Sequence, residues 1–267
     1  MIITLVAFIG VLVVLVIAHE VGHLVTAKAS GVGVEEFGLG LPPRLLSVRW
    51  GETRYSLNAV PLGGFVKMAG EIDPTIPRSL ASKSIPTRIL VLSAGSVMNA
   101  LLPLILLSTA FMVPHTVVIG EVQIQQVVAN SPAAGAGLVP GDILLQINDK
   151  PLRNTGDLQR YIYLNLGAEI TVVVKRDSTT RVVRLIPRWN PPPGQGATGV
   201  VVKTLNPATV REREPFWRAI PMAVTELIET FVLFKNSIII MIVGTAPVQL
   251  TGPVGIAQMT GEVARIG

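Results

Sequence analysis

The first eighteen residues, Met1 to Ala18, hold one polar side chain, Thr4, and no charge, and the chain then reads His19-Glu20-Val21-Gly22-His23. Eighteen helical residues rise about 27 Å, close to the hydrocarbon thickness of a bilayer. A cleaved leader would open on a basic segment and leave through small residues. Here no Lys or Arg precedes Lys28, and the apolar run ends in His-Glu. A retained membrane helix over residues 1–27 is therefore expected. Composition agrees: 49% of the residues are hydrophobic and only 15% charged, against about 25% charged in a soluble globular chain. The same figures exclude disorder. The net charge of +5 is scattered, with no basic stripe interleaved with aromatics. The expected partner is accordingly the lipid bilayer and not nucleic acid. The absence of cysteine removes disulfides, thiolate metal sites and a cysteine nucleophile.

A second apolar run, Ile89 to Pro114, predicts a second span over residues 89–114, with Gly95 and Pro103 tolerable inside a membrane helix. Between the spans, residues 28–88 carry Lys28, Arg44, Arg49, Arg54, Lys67, Arg78, Lys83 and Arg88 against Glu35, Glu36, Glu52, Glu71 and Asp73. That basic excess places the loop on the cytoplasmic side and residue 115 outside. Within the loop, residues 47–57 read as a hairpin turning at Gly51-Glu52, and residues 59–68 as a further short strand bent by Pro61 and Gly63-Gly64. Residues 115–190 read as a soluble α/β module: strands at 117–122 and 142–148, a helix at 157–166, and a closing hairpin from 169–175 and 181–186. Residues 191–215, opening on Pro191-Pro192-Pro193-Gly194, read as a linker. In residues 216–267, the apolar run Phe231 to Val243 is interrupted by Lys235 and Asn236 and preceded by Glu226 and Glu229, which suits an amphipathic helix lying at or partly in the membrane better than a full third span.

The chemistry lies in His19, Glu20 and His23. Two histidines four residues apart stand about 40° apart around a helix, so both imidazoles leave one face and can bind one zinc ion. Glu20 then lies where it can take a proton from an attacking water. Such motifs also decorate solvated helices by chance, but three ionisable groups in or beside a membrane span cost several kcal/mol and are functional by default. A zinc hydrolase needs a third protein ligand. His115 is expected across the membrane, and Asp73 sits in a loop, Ile72-Asp73-Pro74, with no helical phase relation to His19.

These residues and four further stretches resemble the site-2 protease family of bacterial intramembrane zinc metalloproteases. The further stretches are Pro61-Leu62-Gly63-Gly64-Phe65-Val66-Lys67-Met68, Ala94-Gly95-Ser96-Val97-Met98-Asn99, a PDZ-like pattern from Ser131-Pro132-Ala133 through Gly137 to Leu144, and Thr251-Gly252-Pro253-Val254-Gly255-Ile256-Ala257. Ser96 stands where the family has proline. No Leu-Asp-Gly occurs, the family motif whose Asp is the third ligand, and the expectation is a chain that continues beyond Gly267.

The resemblance implies a polytopic α-helical membrane protein with an inserted α/β PDZ-like domain, resident in the cell membrane, with its active site toward the cytoplasm and the PDZ-like domain outside. It implies a zinc endopeptidase acting on single-span membrane proteins in regulated intramembrane proteolysis. His19 and His23 would be metal ligands and Glu20 the general base. Gly63, Gly64 and Phe65 would pair with an unwound substrate segment by strand addition. Asn99 would bind substrate or orient the catalytic region, or equally serve as helix–helix glue. In the PDZ-like module, Gly141 is expected in a turn and Ile143 and Ile147 in the core, with a gating or peptide-binding role for the module. The competing readings are an incomplete protease acting as a membrane-anchored PDZ binding module, and a metal-transport protein using the same three residues. The 267 residues alone are expected to be inactive for want of the third ligand.

Overall fold

In a computed structural model the described residues are 2–243, 255–256, 258–260 and 262. The chain divides into two compact units, residues 1–106 with 250–267, and residues 107–249.

The first unit opens with α1 (Ile2–Ala29), a helix apolar enough along Ile3–Ala29 to cross a bilayer. It leads into a long bent hairpin of β1 (Val34–Trp50) and β2 (Thr53–Met68), turning at Gly51-Glu52 with Gly51 at φ +60°. The short strand expected at 59–68 is continuous with the hairpin's second arm. Val34–Leu39 pairs along one edge with Gly64–Met68 and along the other with Arg54–Leu57, so two strands make a compact curled sheet. Glu36 is buried within it, its carboxylate accepting both from Arg44 Nη2 at 2.8 Å and, at 2.7 Å, from Ser56 Oγ. Beyond Gly40 the arm changes character: Leu45, Leu46, Val48 and Trp50 are 62–80% exposed. The second apolar helix, α2 (Ile85–Met112), starts four residues before the expected Ile89. Arg88 is not its boundary, because Pro86 is acceptable in a first turn whose N–H groups lack partners anyway, and Arg88 N–H already donates to Ser84 O. Ala27, Val32, Val34, Met68, Leu80 and Val91 form the core where α1, the hairpin and α2 meet.

The second unit is built on the sheet order β7-β6-β4-β3-β8. Its elements are β3 (His115–Val127), α3 (Pro132–Gly135), β4 (Ile143–Ile147), β5 (Lys150–Pro151, paired with β4), α4 (Thr155–Leu164), β6 (Ile170–Arg176), β7 (Thr179–Leu185), β8 (Val200–Glu212) and α5 (Phe216–Val243). The stretch 191–215 is therefore not a linker. Pro191 to Gly194 make only a turn, and the β-branched run from Val200 pairs with β3 from Val127↔Val200 to His115↔Glu212. A strand partner as long as β3 outweighs local proline content, and the module runs to Glu212. Gly141 takes φ +95°, as its turn demands, but the core position expected for Ile143 belongs to Leu144. A register irregularity between Leu144 and Gln146 lets both Leu144 and Ile147 face inward, so strict alternation fails.

One ion pair anchors this sheet. Asp142 is fully buried and accepts from Arg176 Nε (2.7 Å), Arg176 Nη2 (2.8 Å) and Val139 N–H (3.0 Å). Burial pushes its carboxyl upward, but these donors outweigh it and hold the group below the usual carboxylate range. Its contribution is complete above the unfolded value, about 3.9, and lost as pH falls through the lower folded value. Arg176→Met leaves the carboxylate to the effect of burial, and is expected to destabilise the sheet at neutral pH by an amount that shrinks as acid protonates Asp142. Hydrogen exchange of β4 and β6 amides measures both effects.

The polar residues of α5 are used against the module. Arg160 on α4 pairs with Glu226 (2.8 Å) and Glu229 (2.9 Å), Lys150 also reaches Glu229, and buried Asn236 donates to Tyr163 O at 2.7 Å. Phe231, Phe234 and Ile242 remain 65–76% exposed.

Candidate active site

All of the candidate site lies in the first unit. The helical phase of α1 brings His19 Nε2 and His23 Nε2 to 3.2 Å, with the rings 72° apart, and Glu20 half-buried on the adjoining face. Two Nε2 atoms bound to one tetrahedral zinc at about 2.05 Å would stand about 3.3 Å apart. The histidine pair thus fits such an ion. His23 Nδ1–H donates to Val91 O at 2.8 Å, which fixes the tautomer and leaves Nε2 with its lone pair. His19 Nδ1 lies 3.4 Å from Asn99 Nδ2.

Both imidazoles are received by α2 at Gly95. A Cβ there would stand 2.4 Å from His19 Nε2 and 2.5 Å from His23 Nε2. The helices can approach this closely because Gly22 leaves room for Ala94 O, which a Cβ at Gly22 would meet at 2.5 Å. Gly64 does the same for the hairpin: a Cβ on it would meet Glu20 Cγ at 2.8 Å, so β2 runs directly past the acid. Gly63 is exposed with φ +81°, while the Phe65 ring covers Gly38. Of the residues singled out in the sequence, the fold therefore gathers His19, Glu20, His23, Gly64 and Asn99. Asp73 accepts from Thr75 N–H and Oγ in its own exposed turn, and His115 Nδ1 donates to Val113 O. Among the described residues, no group of three or more metal-binding side chains forms. The Val91 carbonyl had no sequence signal, being a backbone atom. Gly95 had one in its place four residues before Asn99. Residues 251–254 and 257 of the Gly-Pro-x-Gly-Ile-Ala stretch lie outside the described residues.

The candidate site is thus a helix carrying His-Glu-x-x-His, packed on a second apolar helix through glycine contacts and flanked by a glycine-bearing strand. The chain belongs to peptidase family M50, which it matches over residues 7–267. A Clostridium acetobutylicum protein with a provisional zinc-metalloprotease name is 32% identical over 259 residues, covering 95% of this chain and 73% of that protein. The metalloprotease MmpA of Caulobacter vibrioides is 30% identical over 295 residues, covering 98% and 73%. Among solved structures, the PDZ domain of an SdrC-like protein from Listeria monocytogenes aligns at 18% identity and a TM-score of 0.27, over 30% of this chain and 85% of that one.

Proposed function

We propose that the protein is an intramembrane zinc endopeptidase that cleaves single-span membrane proteins. The observation that carries this reading is the 3.2 Å pairing of His19 and His23 Nε2 on an apolar helix, with Glu20 beside them. His19 and His23 would hold the zinc, and a third ligand completes the set from outside the residues that gather here. Zinc bound there would supply Lewis-acid polarisation of the scissile carbonyl and of the attacking water. Glu20 takes the proton from that water and returns it to the leaving amine. The Gly63-Gly64 segment lies along an edge of β2 beside α1, suited to pairing with substrate backbone once its helix has unwound. A helical peptide bond is shielded by its own hydrogen bonds, so unwinding must precede attack. Phe65, next along β2, packs its ring against Gly38.

The test uses the full-length protein, with the residue that supplies the third ligand, purified in detergent with a single-span substrate. Cleavage is expected to stop with a zinc chelator and return when zinc alone is restored; cleavage indifferent to the chelator would overturn the metal assignment.

In the membrane, α1 and α2 are read as spans, residues 30–84 as cytoplasmic, and the PDZ-like module as external, where it gates access or binds peptide. The basic excess of the 28–88 loop supports this orientation. The chain lacks cysteine, so introduced thiols report topology cleanly. Ile72→Cys, at a side chain 95% exposed, and Lys175→Cys on β6 are expected to label from opposite sides of sealed vesicles. Labelling of both from one side would refute the two-span arrangement.

A further inference from the structure

Val91, Gly95 and Asn99 follow one another at four-residue spacing, so they form a single stripe on α2. The stripe meets the two imidazoles in order: the Val91 carbonyl takes His23 Nδ1–H, Gly95 clears room for both Nε2 atoms, and the Asn99 amide lies against His19 Nδ1. The first of these contacts has an unambiguous sense, because a carbonyl can only accept. The last does not. With Nδ2 turned to His19 the contact is long, 3.4 Å, and Asn99 Oδ1 is buried with no hydrogen-bond partner. That orientation also asks His19 to accept at Nδ1, which would place its proton on Nε2, where it would donate to His23 Nε2 across 3.2 Å and occupy both nitrogens that a metal needs. The nitrogen and oxygen of an amide are nearly equivalent in shape, so their assignment follows from the bonding they must satisfy.

We infer that Asn99 is a positioning residue whose Oδ1 accepts a hydrogen bond from His19 Nδ1–H, so that α2 fixes both histidines in the tautomer that leaves Nε2 free to bind metal. The inference rests on the reading of His19 and His23 as zinc ligands and adds what holds them ready. The orphaned Oδ1 gains a donor, and the two imidazoles acquire equivalent supports, a carbonyl for one and an amide oxygen for the other. An acceptor on the distal ring nitrogen both orients a ligating histidine and raises its basicity, and removing such a partner usually weakens metal affinity about 10–100-fold.

The experiment measures zinc affinity by chelator competition, and the absorption spectrum of the cobalt-substituted protein, for three forms. Asn99→Asp keeps an acceptor of the same size; Asn99→Leu removes all polarity at similar volume. Zinc affinity is expected to fall 10–100-fold in Asn99→Leu and to be kept or raised in Asn99→Asp, with the cobalt spectrum altered only in the former. Should Asn99→Leu fail to accumulate, Asn99→Ala takes its place in the comparison. Equal losses in Asp and Leu variants would show that the amide donates, and unchanged affinity in both would show a helix-packing role; either overturns the inference. Absence of stoichiometric zinc from the wild-type protein would instead refute the underlying metal assignment, before Asn99 is considered.

Discussion

Glu20→Gln is expected to lower peptide cleavage by about 10²–10⁴-fold while zinc per chain stays at the wild-type value. The amide has nearly the shape of the carboxylate but cannot take a proton, so only the proton-transfer step is removed. The structure favours this separation of roles. Glu20 lies on the face that β2 passes at Gly64, whereas the two Nε2 atoms converge at Gly95 on α2. A general base should sit toward the strand proposed to pair with substrate, and a ligand toward the other imidazole. Metal analysis beside a cleavage assay decides the matter. If zinc left together with activity, Glu20 would be a ligand, and the base would have to be sought elsewhere.

Gly95→Ala is expected to remove both zinc and cleavage, although it adds a single methyl group. That methyl would sit 2.4 Å and 2.5 Å from the two Nε2 atoms, well inside contact distance. Neither ring can retreat cheaply. His23 is tethered to Val91 O at 2.8 Å, and His19 is bounded by Asn99. Gly10→Ala, on α1, is the control, since nothing lies within 4 Å of a Cβ there. Zinc content should be lost only in the Gly95 variant. Retention of stoichiometric zinc by Gly95→Ala would show that α2 can move away from α1, against the close contact of Gly22 with Ala94 O.

What could be read beforehand follows from how local each signal is. The grouping of His19, Glu20 and His23 in the candidate site was legible because they lie within five positions of one helix, where phase alone sets their relation. The two apolar helices and the Gly51-Glu52 turn were legible for the same reason. The supports of the site were not, because they depend on which helix crosses which. The Val91 carbonyl is available in any sequence, and only the crossing at Gly22 and Ala94 brings it to His23. The strand at Val200–Glu212 was missed because its cause, a thirteen-residue partner in β3, lies some eighty residues upstream, while the nearby prolines argue for a linker. Leu144 displaced Ile143 from the core through a register irregularity that no alternation rule anticipates. Polar residues in α5 looked like interruptions of an apolar helix. Glu226, Glu229 and Asn236 instead meet Arg160 and the Tyr163 carbonyl on α4.

The outer arm of the hairpin has a practical consequence for handling the protein. Leu45, Leu46, Val48 and Trp50 present a greasy ribbon that belongs to a β-element and not to either apolar helix. A strand edge of this kind, once bare in water, invites pairing with another molecule. Amphiphiles chosen only to girdle two helices would leave it uncovered, and preparations in them should sediment as large species. Lipid nanodiscs, or detergents forming a broader collar, should keep the same material monodisperse, because their acyl chains reach the ribbon as well as the helices.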